Sequence, residues 1–394
     1  MTIRSRFSSL LLATPFLLSP TLGAQSTRLV VKVTNPLAIE RRDETITLTW
    51  ADVTKALPGA AKDKIRVRDA VTGAEFPSQA VDENGDGSID DFVFQANFWP
   101  KESKSFAVEA VAAAVVKPKT FVYHDATRDD IAWENDRIAF RIYGQGIWHT
   151  KDSLVSAGID VWPKSVRDLI VDKWYKKGHD EYHVDTGEGA DFFEVGTTLG
   201  AGGTALWQDN KIKQFENFKT SRIITMGPVR AIFELTYDPV KANGYTVAET
   251  KRFVIDAGNN LYREESTFKI VGAASAPYAI GVVKKDGLVG SSSLANPWAW
   301  VTGWAQVHKK HGGHGYLGTA VMLEKSRVTE LREIDDHYIA VTAAKNGEKV
   351  VHYIGAGWTD SGDFKDVMDW WGYLDKFAQR LGAPLKVTLG AEAQ

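Results

Sequence analysis

The chain has 394 residues, 44% of them apolar, and a formal net charge of −3. That length and apolar share leave room for two domains with cores of their own and exclude global disorder. The slightly acidic balance offers no basic excess to neutralise a phosphate backbone, which excludes nucleic acid as a partner.

Residues 1–24 read as a secretory signal peptide. Arg4 and Arg6 form a positive n-region, residues 10–22 an apolar stretch, and Gly23-Ala24 a small-residue cleavage site, with Leu22 departing from the A-x-A pattern. Pro15 and Pro20 interrupt the stretch, which is too short to span a bilayer, and no later segment is long enough, so no membrane partner is expected. The absence of cysteine removes both a disulfide framework and a cysteine-linked lipid anchor. The expected location is the bacterial periplasm or the exterior.

From residue 28 to 115 the pattern is short and alternating. Residues 29–33, 45–50, 64–68 and 92–95 read as strands, separated by turns at Pro58-Gly59, Thr72-Gly73 and Asn84-Gly85. They predict a small N-terminal β-sandwich. A linker rich in Ala, Val, Lys and Pro follows at residues 109–119. The β pattern then resumes at 138–143, 231–237, 251–255 and 338–341, and residues 120–394 are expected to form a large antiparallel β-sandwich carrying the chemistry. One helix is predicted near the end, capped by Ser361 or Asp363. Its apolar face is Val367, Trp370, Trp371, Leu374, Ala378 and Leu381, and Gly382 and Pro384 stop it. Residues 386–389 would return as a last strand. The fold class is all-β, and no repeat of solenoid or propeller period is present. Thirteen tryptophans and 34 glycines fit such a protein, either as aromatic platforms for sugars or as plain core.

Asp82-Glu83-Asn84-Gly85-Asp86-Gly87-Ser88-Ile89-Asp90 matches the start of a calcium loop, but Val93 stands where the bidentate Glu belongs. A polar turn is the better reading. No cofactor is required by the sequence, and a divalent cation is left open.

Residues 133–203 mix arginines, tyrosines, histidines and carboxylates with aromatics and glycines. A plain core has no use for so many ionisable groups, because burying each unpaired costs several kcal/mol, on the order of 1–5. The mixture suits a cleft that grips a carboxylate-bearing ligand and moves protons on it. If residues 182–185 are extended, His183 and Asp185 share a face, and Gly187 and Gly189 bend the chain to aim Glu188 and Asp191 at the cleft. Arg137, Arg141 and Arg230 are candidates for a bidentate carboxylate clamp. Arg137, Ala139, Arg141 and Tyr143 would share one strand face. His308, His311 and His314 are spaced by three, yet Gly312-Gly313 opposes a helix, so a zinc site is disfavoured and His314 is read as approaching substrate. Trp298 and Trp300 share a strand face and are either a stacking surface or core. No cysteine nucleophile, Walker loop, His-Glu-x-x-His or Gly-x-Ser-x-Gly is present.

Trp133-Glu134-Asn135-Asp136-Arg137-Ile138-Ala139-Phe140-Arg141-Ile142-Tyr143-Gly144, Asp185-Thr186-Gly187-Glu188-Gly189-Ala190-Asp191 and Gly313-His314-Gly315-Tyr316-Leu317-Gly318 resemble a secreted bacterial family. That family was long filed as a domain of unknown function and is linked to the breakdown of pectin, ulvan and other uronate-containing glycans. The resemblance spans residues 28–390. It implies a large sandwich of the galactose-mutarotase and polysaccharide-lyase type, and an oligosaccharide dehydratase that removes water from a terminal uronic acid. β-Elimination beside a uronate needs its carboxylate neutralised, a base for the C5 proton and an acid for the departing oxygen. On chemical grounds Arg137 or Arg141 is assigned to the clamp, His183 to the base and Tyr143 or Tyr182 to the acid. Asn135, Trp133, Asp185, Glu188, Asp191, Arg230, His314 and Trp300 are assigned to an oligosaccharide substrate. The alternatives are a glycoside hydrolase using two of Glu188, Asp185 and Asp191, and a non-catalytic saccharide-binding or mutarotase-like protein. The oligomeric state is left open.

Overall fold

The computed structural model describes residues 28–151, 153–307 and 312–391. Residues 1–24, His308 and His311 therefore lie outside the described residues. The described chain is mostly β.

Alternation in Arg28–Thr34 turns Leu29, Val31 and Val33 inward, as a half-buried strand requires. The strand lies between Ser103–Glu109 and Lys386–Ala391, and Arg66–Asp69 and Glu75–Phe76 complete a five-stranded sheet. Arg41–Thr49, Asp91–Phe98 and Ser78–Val81 form the facing sheet. Phe92, Phe94, Phe98 and Phe106 fill the core between them. The small sandwich is thus closed by the far end of the chain, which the sequence placed only as a last strand. Trp50, expected at a strand end, opens a short helix, Trp50–Ala56, because the Thr49 side chain caps the Asp52 N–H.

The large region has two principal sheets. One is nine-stranded and centred on Thr246–Asp256, Leu261–Val271, Lys349–Trp358 and Tyr316–Glu324. The other has five strands, including Thr204–Gln208, Ser275–Val283 and His337–Lys345. A continuous apolar cluster joins them. Within it Lys251 Nζ stands 3.1 Å from Glu264, both fully buried, and Glu249 accepts from Thr204 Oγ1 and Ser266 Oγ at 2.7 Å each. Burial would neutralise Glu264, but Lys251 and His352 together outweigh it and hold the carboxyl low.

The predicted helix is Val367–Gly382. Its cap is Asp366, which accepts from the Met368 and Asp369 N–H groups, and not Ser361 or Asp363. Its buried face, Trp370, Leu374, Phe377 and Ala378, covers Trp300 and Trp304 of the strand Trp298–Gln306. Trp300 is 4% exposed and donates to Asp375 at 2.9 Å. It belongs to the core beneath this helix.

A third, four-stranded sheet is made by Thr120–Asp125, Asp130–Asn135, Ala139–Tyr143 and Asp160–Trp162. It carries the first of the singled-out motifs.

Candidate functional site

Residues 182–192 form turns and not a strand, and this re-aims every side chain on them. Gly187 and Gly189 both sit at φ +98°, and a Cβ on Gly189 would lie 2.1 Å from the Pro163 carbonyl oxygen. Only glycine fits there. Asp185 Oδ1 accepts from the N–H groups of Gly187 at 2.7 Å and Gly189 at 2.9 Å, folding the turn on its own carboxylate. Its Oδ2 lies 2.9 Å from His314 Nε2. The Asp191 N–H closes the segment on the Tyr182 carbonyl at 3.0 Å. The extended geometry that would put His183 and Asp185 on one face is therefore absent. His183 Nε2 instead faces Asp191 Oδ2 at 3.2 Å, and Asp185 serves His314.

Behind the turn is Arg141. Its Nη2 donates to Asp160 at 2.7 Å and Asp191 at 2.6 Å, and its Nη1 to the Tyr182 hydroxyl at 2.8 Å. Tyr143 donates to the same Asp160 oxygen at 3.2 Å. The guanidinium carbon lies 4.8, 4.9 and 5.5 Å from the ring centres of Tyr143, Trp162 and Tyr182, a desolvated cation–π box. Arg141 is 3% exposed, and two carboxylates and a tyrosine occupy its fork. It positions the turn; a substrate carboxylate cannot reach it. Tyr143, 6% exposed, has its proton committed to Asp160.

Burial and the neighbouring Asp191 push the Asp160 carboxyl up to about 6 in spite of Arg141. Asp191 resists its own burial and stays low through Arg141 and His183. At His183 burial favours the neutral ring, but Asp191 and the His179 carbonyl overcome it and raise the pKa. The 2.7 Å contact from Nδ1 to that carbonyl fixes a proton on Nδ1, since a carbonyl only accepts. Nε2 is then the nitrogen that gains and loses the second proton. His314 is bounded by Asp185 on Nε2 and Asp360 on Nδ1, the latter at 2.6 Å. The Asp185 hydrogen bond opposes partial burial and, with Asp360, raises its pKa. Its side chain is 47% exposed, against 17% for His183. The ring packs against Phe192 and Trp358, and Trp358 Nε1 donates to the His314 carbonyl at 2.9 Å.

Two hollows flank this arrangement. One, about 200 Å³, is lined by Phe192, Phe193, Lys285, Gln306, Val307 and Leu317. Lys285 Nζ stands 4.5 Å above the Phe193 ring and donates to the Glu194 carbonyl at 2.6 Å. Burial lowers its pKa against the pull of Asp160, Glu194 and Asp191. The other, about 390 Å³, is lined by Tyr123, Arg128, Asp172, Tyr175, His179 and Tyr182, among others.

A family profile for a domain of unknown function, DUF4861, matches residues 33–387. The chain belongs to that family. A Formosa agariphila relative, described as uncharacterized protein P7, is 31% identical over 379 residues, covering 91% of this chain and 93% of the relative. Among solved structures, a protein in glycosyl hydrolase family 38 from Enterococcus faecalis aligns with TM-score 0.53 at 11% identity. An alpha-mannosidase from Enterococcus faecalis V583 aligns at 0.52 and 12%. Each alignment covers 93% of this chain but only 48% and 46% of those proteins. The chain thus spans about half their length, and the likeness is one of fold.

In this DUF4861 protein the other singled-out residues lie apart from the two imidazoles. Trp133 is fully buried against Phe140 and Phe233. Asn135 is buried too. Its Oδ1 accepts from the N–H groups of Arg137 and Ile138, ending the strand before 138, and its Nδ2 donates to the Asp256 and Asn259 carbonyls. Arg137 consequently falls in a turn, off the Arg141 face, and pairs with Asp363 at 2.9 Å and Asp43 at 3.3 Å. Glu188 is held by Lys173 at 2.5 Å. Arg230 clamps Asp256 through two bonds, 2.7 and 2.9 Å, and reaches Glu83 at 3.1 Å. The loop at residues 82–90 is a turn: Asp82 accepts from the Gly85, Asp86 and Gly87 N–H groups. Among the described residues no group of three or more His, Asp or Glu is arranged to hold a metal. What comes together is Arg141, Tyr143, Tyr182, His183, Asp185, Asp191 and His314. Asp160, Trp162, Asp360, Lys285, Arg128 and His179 join them without having been singled out. His179 alone left a trace in the sequence, as the residue four before His183.

Proposed function

We propose that this protein is a carbohydrate-active enzyme that performs β-elimination on a uronate-containing oligosaccharide. The observation that carries the reading is one glycine-bent turn that presents two partly exposed imidazoles, each held by its own carboxylate, Asp191 for His183 and Asp185 for His314. Elimination needs one proton taken and one given, and two histidines, each beside its own carboxylate, are assigned to the two tasks. His183 is assigned as the base, because the His179 carbonyl holds its Nδ1 proton and Nε2, beside Asp191, is the nitrogen that takes up a second proton. His314, bracketed by two carboxylates that raise its pKa and favour the protonated ring, is assigned as the acid for the departing oxygen. Lys285, in the hollow beside Phe192, is the cation assigned to the uronate carboxylate, the task that Arg141 cannot perform.

A hydrolase built from Glu188, Asp185 and Asp191 has less support. Lys173 holds the first, His314 and two backbone N–H groups the second, and Arg141 and His183 the third. Export to the periplasm or beyond belongs to the same proposal and rests on the composition of residues 1–24.

The test is incubation with a panel of uronate oligosaccharides. Absorbance from a new conjugated double bond, with loss of water or cleavage by mass, supports elimination. Gain of water without that absorbance overturns it in favour of hydrolysis, and binding with unchanged substrate overturns catalysis altogether.

A further inference from the structure

Away from the two imidazoles lies a larger cavity, about 570 Å³, between the small sandwich, the helix Val367–Gly382 and the outer face of the nine-stranded sheet. Several of its charges are spent on one another. Arg230 is taken by Asp256 and Glu83, and Arg41 and Arg380 both bind Glu44. Three polar groups on its wall are not spent. Among the described residues the Arg263 side chain has one ion pair, to Glu265 at 3.0 Å, and is 34% exposed, so most of its five N–H donors are available. Tyr353 lies directly across the strand pair from Arg263, and among the described residues its hydroxyl has no hydrogen-bond partner. The Asp91 carboxyl, at the edge of the small sandwich, has none either. Burial and Glu83 raise its pKa, and its oxygens are open to accept from a ligand hydroxyl. Trp298 and Phe377 pack edge-on to Tyr353 at 5.2 and 5.4 Å, giving the wall an apolar, aromatic side.

We infer that this cavity is a second saccharide site that takes an anionic pyranose, its carboxylate or sulfate on Arg263, its hydroxyls on Asp91 and Tyr353, and its ring against Trp298. A planar guanidinium with free donors reads an oxyanion in two places at once. An aromatic surface beside hydrogen-bonding groups is what a sugar ring packs on. The cavity volume falls in the range of roughly 300–1,000 Å³ common to small-ligand sites. This inference stands apart from the proposed elimination, since it needs neither His183 nor His314.

The experiment is calorimetric titration of the full chain with D-glucuronate and, as control, D-glucose. It is run on the wild type, Arg263→Ala, Arg263→Gln, Tyr353→Phe and His314→Ala, with melting curves confirming the fold. Saturable glucuronate binding tighter than glucose is expected in the wild type. Losing one charge-assisted contact should weaken it at least about tenfold in the folded Arg263 variants, and less in Tyr353→Phe. His314→Ala should keep the Arg263-dependent binding, whatever it loses at the imidazoles. Should Arg263→Ala fail to fold, Arg263→Gln keeps the side-chain shape and gives the same reading. Wild-type affinity in the folded Arg263 variants, loss of binding in His314→Ala, or no glucuronate binding by the wild type would each overturn the inference.

Discussion

Asp185 and His314, 129 positions apart in the chain, meet at 2.9 Å. Two of the three stretches that carried the family resemblance therefore form one contact. The carboxylate folds the glycine turn with one oxygen and charges the imidazole with the other.

That division of labour makes Asp185→Asn informative. The amide oxygen can still accept from Gly187 and Gly189, so the turn should persist. One of the two carboxylates facing His314 is neutralised, and the pKa of the imidazole should fall. The alkaline limb of the activity profile, set by the acid His314, should then move to lower pH while the acid limb, set by His183, stays. A chemical-shift titration of His314 in the folded variant checks this, and an unmoved pKa counts against the assignment.

His183→Ala removes proton transfer in the transition state. kcat should fall by about a hundredfold or more, the usual worth of a general base, with KM little changed. Steady-state kinetics on a uronate oligosaccharide decide. A rise in KM alone would make His183 a binding group.

Arg141 is expected to behave as a positioning residue. Arg141→Met leaves Asp160 and Asp191 buried without their shared cation, a loss on the order of 3–5 kcal/mol for a broken buried pair. Denaturant unfolding should show it. Turnover of a uronate and of its carboxamide should fall in the same proportion, whereas a clamp would spare the carboxamide.

Lys251→Met should destabilise the large sandwich by a similar amount, about 3–5 kcal/mol, because Glu264 stays buried without its partner. Activity at low temperature should survive, since the network lies in the core and away from the turn. Activity lost at full folding would assign the network a role in the chemistry.

Much of the fold was legible because strands announce themselves by alternation. Leu29, Val31 and Val33 point inward as read, and the apolar face of Val367–Gly382 was placed almost residue for residue. What escaped was non-local. Nothing in residues 386–391 says that their partner is Arg28–Thr34. At the site, alternation misled. Residues 182–185 carry a strand-like mixture, but the two left-handed glycines and the Asp185 carboxylate hold them in turns, which moved His183 from Asp185 to Asp191. Arg141 was recognised as an unusual strand cation. Its fork is shared by Asp191, Tyr182 and Asp160, the last in a three-residue strand too short to show a pattern. Lys285 and Asp360 have no local signature, because their roles depend on which segments fold beside them.

Stability should also report the imidazoles. A histidine whose folded pKa is raised adds stability in full below its unfolded value, about 6.5, and loses it as pH rises through the folded value. His183 and His314 are both raised. Unfolding free energy should therefore decline across the region above about pH 6.5, and His314→Ala should flatten part of that slope. An identical slope in the variant would mean that His314 is not charged in the fold.

The most direct measurement of the central claim follows conjugated-alkene absorbance. The wild type, His183→Ala, His314→Ala and the double variant are compared on an oligosaccharide with a non-reducing-end uronate. The account predicts a strong rise with the wild type and, for each folded single variant, a rate lower by about a hundredfold or more. The double variant should fall no further than a shared proton-transfer unit allows, less than the product of the two single losses. A folded double variant that forms the unsaturated product at the wild-type rate would contradict it.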